Sequence, residues 1–139
     1  MRAPRTTAVG EHPEPRTIGP ITQTDIVRFA GAGGDFNPLH HDPARAAAAG
    51  FDRPIAMGQF TAGLLAAWLT DTFGVEYLRS LEVRFTAPLF IGDVVELSGH
   101  VLEISTPEGA PALATIELAA TRSGEPVVKG RATVVITTA

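Results

Sequence analysis

Ala56-Met57-Gly58-Gln59-Phe60-Thr61-Ala62-Gly63-Leu64-Leu65-Ala66-Ala67-Trp68-Leu69 is apolar or small at nearly every position. Phe60, Leu64 and Trp68 line one helical stripe, Leu65 and Leu69 widen it, and Gly63, Ala66 and Ala67 fill most of the rest. A helix of this kind offers water no broad face, so it must be buried on most sides. It ends near Gly74, and it is too short and too interrupted by Gln59, Thr61, Thr70 and Asp71 to span a membrane.

Downstream the hydrophobic period changes to two. Leu81, Val83 and Phe85 alternate with Ser80, Glu82, Arg84 and Thr86 until Pro88 breaks the strand. A second strand runs from about Asp93 to Ile104, with Val95, Leu97 and Val101 on one face. Thr106-Pro107-Glu108-Gly109 turns the chain into a third strand, Leu113 to Arg122. Ser123-Gly124-Glu125-Pro126 turns it into a last one, where Val128, Ala132, Val134 and Ile136 face one way. Strands joined by short turns predict an antiparallel meander, with the buried helix as the object it wraps.

Upstream, residues 1–15 carry Pro, Arg, Thr and Glu without period and read as a loose arm. Arg16-Thr17-Ile18 is a short extended piece that ends at the turn Gly19-Pro20. Thr22 caps a short helix, with Asp25 in the third position of a capping box and Ile26, Phe29 and Ala30 on its apolar face. That helix stops in Gly31-Ala32-Gly33-Gly34. A dinucleotide fingerprint fails there, because Phe36 stands where its third glycine belongs and the cluster follows a helix rather than a strand.

The chain then enters Asp35-Phe36-Asn37-Pro38-Leu39-His40-His41-Asp42. Pro38 excludes a regular helix and pushes Asn37 towards extended backbone, so Asp35 and His40 are presented from a fixed turn. A carboxylate and an imidazole suit proton transfer near neutral pH. The same residues also suit a plain Asx turn leading to a helix cap. Asp42 is placed as N-cap and Pro43 as first residue of a helix through Ala49, stopped by Gly50. His40, His41 and Asp42 are adjacent on a turn and no further cluster completes a coordination sphere, which argues against a metal site.

The 139 residues fit one domain, with 45% hydrophobic and 19% charged residues, as in a folded globular chain. A net charge of -4 and a single lysine, Lys129, argue against nucleic acid as a partner and against a phosphate-binding Gly-Lys loop. The absence of cysteine excludes disulfides and thiolate metal sites. Met1-Arg2-Ala3-Pro4-Arg5 leads into no apolar run, so the expectation is a cytoplasmic, soluble protein without a secretory signal.

A long helix held in a curled antiparallel sheet is the hot-dog architecture, an α+β fold. The sequence resembles the MaoC-like family of (R)-specific enoyl-CoA hydratases and 3-hydroxyacyl dehydratases. The resemblance is carried by Gly34-Asp35-Phe36-Asn37-Pro38-Leu39-His40, with support from Arg53-Pro54-Ile55-Ala56-Met57-Gly58 and Phe85-Thr86-Ala87-Pro88-Leu89-Phe90-Ile91-Gly92-Asp93. It implies one hot-dog domain over residues 16–139 and reversible hydration of trans-2-enoyl thioesters to (R)-3-hydroxyacyl thioesters. By resemblance Asp35 and His40 are the acid–base pair, and the Gly58 backbone N–H meets the thioester oxygen. Asn37 orients the loop or the water, and its alternative role is that of a turn residue. Met57, taken as a substrate-binding position, replaces the histidine that related sequences commonly place before the glycine, which bears on substrate shape or loop packing.

No cofactor or metal is implied. The implied partners are a thioester on CoA or acyl-carrier protein and a second chain, in a homodimer or a heterodimer with a related chain. Two rival functions stand beside this one: a non-catalytic subunit of a heteromeric dehydratase, and a hot-dog thioesterase. His12 and His100 are expected to be structural or solvated.

Overall fold

A computed structural model of the chain describes residues 1–139. In chain order it contains β1 (Thr6–Thr7), β2 (Arg16–Ile18), α1 (Gln23–Gly33), a 3-10 turn (Pro38–His40), α2 (Pro43–Ala48) and α3 (Gly58–Phe73). A second 3-10 turn (Val75–Tyr77) leads to β3 (Leu78–Phe85), β4 (Val95–Ser105), β5 (Ala112–Arg122) and β6 (Glu125–Thr138).

The expected meander holds for β4, β5 and β6, which are successive antiparallel neighbours. It does not hold for β3, which lies beside β6 rather than beside β4. Residues 86–94 therefore cross from one side of the sheet to the other, giving the order β3-β6-β5-β4-β2. Alternation in single strands gives each strand's inner face but not its neighbours, and here the sheet curls around a helix instead of stacking in sequence order.

Leu65, Trp68, Leu69 and Phe73 of α3 are each no more than 1% exposed. They share one core with Val95, Leu97 and Val101 of β4, Ile116 and Leu118 of β5, and Ala132, Val134 and Ile136 of β6. The helix is thus buried on most sides, with one exposed stripe at Gln59, Gly63, Ala67 and Asp71. Phe60 and Leu64 are only half-buried; Phe60 meets Phe29 of α1 edge-on at 5.6 Å between ring centres. Gly99 of β4 makes the wrap possible. A Cβ there would stand 2.8 Å from the Glu117 carbonyl and 3.2 Å from the Trp68 ring.

Residues 1–15 are not loose. β1 runs parallel to the end of β6, and Gly10 and Val101 join arm to sheet, the Gly10 N–H reaching the Val101 carbonyl at 2.8 Å. The buried Trp68 indole N–H donates to the Glu14 carbonyl at 2.9 Å, and the Tyr77 hydroxyl bonds the Arg2 carbonyl. Arg5 pairs with Glu11 at 2.7 Å, and its hydrogen bond, with a second from Thr7, holds the Glu11 carboxyl below its ordinary value. A buried indole needs an acceptor, and the arm supplies it from more than fifty positions away, beyond the reach of any local pattern. No helix is long and apolar enough to cross a membrane.

Candidate active site

The polar loop is built by side chains that replace missing backbone partners. At the start of α1, Thr22 and Asp25 form the expected capping box, and the Thr22 N–H holds the Asp25 carboxyl below its ordinary value. The helix ends at Gly34 with φ 72°, a left-handed turn that glycine adopts without penalty. Asp35 Oδ1 then accepts from the Asn37 N–H at 3.3 Å, and Asn37 Oδ1 from the Leu39 N–H at 3.1 Å. Asp42 Oδ1 accepts from the Ala44 N–H at 2.9 Å and starts α2. Asn37 sits at φ −58° and ψ 125°, the extended conformation that Pro38 requires.

His40 is 8% exposed and clamped at three points. Its carbonyl accepts from the Gln23 amide at 3.0 Å, and the Leu39 carbonyl before it accepts from the Ile55 N–H at 3.1 Å. Its ring nitrogen Nδ1 lies 2.8 Å from the Ile55 carbonyl. A carbonyl oxygen only accepts, so Nδ1 carries the proton and Nε2 is left for chemistry. Nε2 faces Asp35 Oδ2 at 3.5 Å, and the Asp35 side chain is 47% exposed. The pair is therefore fixed on the imidazole side and open to solvent on the carboxylate side. That spacing is too long for a direct hydrogen bond and suits a shared water.

Ile55 also ties the loop to α3. It bridges to Phe90, and the next residue, Ala56, donates to the Leu89 carbonyl at 2.7 Å. The Phe90 segment is in turn anchored by Asp93, which accepts from the Phe90 N–H at 2.9 Å and pairs with Arg122 at 3.0 Å. Gly58 follows Ile55 by three residues, a reach of at most about 10 Å. No acceptor in the chain meets the Gly58 N–H, and Met57 before it gives no side-chain cap. A groove of about 480 Å³ opens there, with Ile55, Gly58, Thr61, Phe85 and Leu89 on its walls. The Phe85 ring covers Gly58, and a Cβ on Gly58 would stand 2.9 Å from it.

The structure thus brings Asp35 and His40 together and links them to Gly58 through Ile55, although neither side chain lines that groove. Asn37 is a turn residue, with its amide oxygen committed to the loop. Met57 is 3% exposed and packs in the core rather than on the groove wall. No group of three or more His, Asp or Glu side chains is placed to hold a metal ion. His12 stacks on His100 at 5.2 Å on the outer face of the sheet. A larger depression of about 770 Å³ there holds none of the expected site residues; two of its charges, Arg131 and Glu117, pair at 4.0 Å. Sequence reasoning missed the Ile55 carbonyl, Phe85 and Thr61. Only Thr61 left a signal, as a hydroxyl one turn into an apolar helix.

An antiparallel sheet around one buried helix, with an Asp–His loop packed against the segment that leads into that helix, defines a hot-dog domain. The chain belongs to the MaoC-like domain family, whose pattern matches residues 5–110. It is 34% identical over 113 residues to an (R)-specific enoyl-CoA hydratase of Aeromonas caviae, covering 79% of this chain and 82% of that protein. It is 40% identical over 87 residues to a 3-hydroxybutyryl-CoA dehydratase of Methylorubrum extorquens. That match covers 60% of this chain and 55% of the relative, so the chain spans only about half of that protein's length. A solved (R)-hydratase from A. caviae superposes with a TM-score of 0.79 at 29% identity, over 94% of this chain and 97% of that one.

Proposed function

We propose that the chain catalyses the reversible addition of water to a trans-2-enoyl thioester, giving a 3-hydroxyacyl thioester of (R) configuration. The observation that carries this reading is the His40 ring, fixed through Nδ1 by the Ile55 carbonyl, with Nε2 turned to Asp35 at 3.5 Å. A water held by both groups gives its hydroxyl to C3 of the enoyl group, and a proton is delivered to C2. Asp35 and His40 accept the one proton and supply the other. Charge that gathers on the thioester oxygen meets the free Gly58 N–H at the positive end of α3. Asn37 holds the loop in shape.

The relatives' names support an acyl-CoA thioester as substrate. β3 pairs only with β6, so its other edge is open, and this supports pairing with a second copy of the chain. Light scattering should show a dimer; a heterodimer with a related chain would appear as a monomer that gains activity on mixing. The reading keeps the cytoplasmic setting expected of the sequence.

The test is the purified chain with crotonyl-CoA. Loss of the enoyl absorbance without release of free thiol is the expected result. Thiol release would replace hydration with thioester hydrolysis, and an inert folded dimer would make the chain a non-catalytic subunit.

A further inference from the structure

Three threonines lie on α3, and two of them are satisfied by the helix itself. Thr70 donates to the Ala67 carbonyl at 3.2 Å and Thr72 to the Trp68 carbonyl at 2.7 Å, the usual way a helical hydroxyl is absorbed. Thr61 differs. It is 2% exposed, and no donor or acceptor in the chain meets its hydroxyl. The only fully enclosed side-chain polar atom without a partner is Arg5 Nε, so the Thr61 oxygen keeps accessible surface. Thr61 lines the groove at the start of α3.

The direction of the side chain follows from helix geometry. Each Cα–Cβ bond tilts towards the helix N-terminus, so a side chain covers the turn before its own Cα. Thr61 is three residues after Gly58 and therefore leans over the Gly58 turn. One groove thus receives two unmet donors, the Gly58 N–H and the Thr61 hydroxyl, between apolar walls at Ile55, Phe85 and Leu89. A buried polar group persists without a protein partner where something else supplies one. An oxygen acceptor on a bound ligand fits both donors, and an aliphatic acyl chain fits the walls.

We propose that Thr61 contacts the substrate, its hydroxyl donating a second hydrogen bond to the thioester carbonyl oxygen to which the Gly58 N–H also donates. The proposal rests on the hydration reading of the site. Thr61→Val keeps the shape and removes the hydroxyl; Thr61→Ser keeps the hydroxyl and removes the methyl.

With crotonyl-CoA, Thr61→Val should lower kcat about 10- to 100-fold, at or below the usual loss for one oxyanion donor because Gly58 remains. Its melting temperature should equal or exceed that of the wild type, since an unpartnered hydroxyl is gone. Thr61→Ser should recover kcat to within about threefold of the wild type, as a hydrogen-bonding role requires. Wild-type kcat and KM in Thr61→Val, or equal losses in the Val and Ser variants, would overturn the assignment. Should the Val variant fail to fold, Thr61→Ala, which only removes atoms, carries the same comparison. If the wild type does not hydrate crotonyl-CoA, the hydration reading fails by itself. Calorimetric binding of butyryl-CoA then decides on Thr61: weakening of about threefold or more in Thr61→Val supports the contact, and equal affinity removes it.

Discussion

The two ends of α3 are finished in opposite ways. At the C-terminal end the carbonyls of Thr70, Asp71 and Thr72 all have partners. The Arg2 guanidinium donates to the Asp71 carbonyl at 3.3 Å and the Thr72 carbonyl at 3.0 Å, and the Gly74 N–H returns to the Thr70 carbonyl at 2.8 Å. The positive charge of Arg2 also meets the negative end of the helix dipole. At the N-terminal end Met57 supplies no cap, the Gly58 N–H and the Thr61 hydroxyl are unmet, and a groove stands open beside them. Helix ends in a packed domain are ordinarily satisfied. On the proposed reading, the finished end serves stability and the unfinished end offers its donors to the substrate.

If that contrast is right, chemistry fails when the N-terminal side is altered, and only stability suffers at the other. The largest loss is expected at the loop stitched to this end. Asp35→Asn and His40→Ala should each lower hydration about 10²- to 10⁴-fold, the range of a positioned acid–base group. Because both serve one water, the double variant should be little slower than either single. Steady-state kinetics on variants with native circular dichroism make the comparison, and near-wild-type turnover in either would remove the pair from the mechanism.

Gly58→Pro comes next. Proline suits the first turn of a helix and deletes the donor, so turnover should fall about 10²- to 10³-fold with the helix intact. Gly58→Ala keeps the N–H, but its methyl would stand 2.9 Å from the Phe85 ring. Phe85 is 49% exposed, so the ring has room to move. The alanine variant should therefore lose less than the proline variant, and Phe85→Leu added to it should restore activity. A proline variant that turns over like the wild type would place the oxyanion donor elsewhere.

At the far end, Arg2→Ala should leave kcat unchanged and cost about 0.3–1 kcal/mol of stability, the usual worth of a charge at a helix end. A thermal melt should show a drop of a few degrees. A fall in turnover as large as that of Gly58→Pro would break the contrast between the ends.

The smallest effect concerns the docked arm in acid. The Glu11 carboxyl is held below its ordinary 4.5, first by the Arg5 hydrogen bond and then by that of Thr7. The unfolded chain binds this proton more readily than the folded one. The contribution is therefore full above about pH 4.5 and is lost as pH falls through the lowered folded value. Between pH 6 and 3, melting temperatures of the wild type should fall more than those of Glu11→Gln; parallel curves would show that the pair contributes nothing.

The sequence by itself determined what local physics can specify. The buried character of residues 58–73 followed from a run with no polar face, and the capping box at Thr22 and the N-cap at Asp42 followed from side chains of the right type at the right spacing. The extended Asn37 followed from Pro38. Each of these depends on neighbours within a few residues, where covalent geometry limits the outcome. Only the tertiary structure decided what depends on distant partners. It set β3 beside β6, docked the arm through Trp68 and Glu14, locked His40 onto the Ile55 carbonyl and laid Phe85 over Gly58. A backbone carbonyl carries no residue-type signature, so nothing in the letters marks Ile55 as the group that fixes the histidine tautomer. Those contacts arise because a curled sheet brings strands, helix and entry loop together from distant parts of the sequence, and that arrangement belongs to the packing of the whole chain.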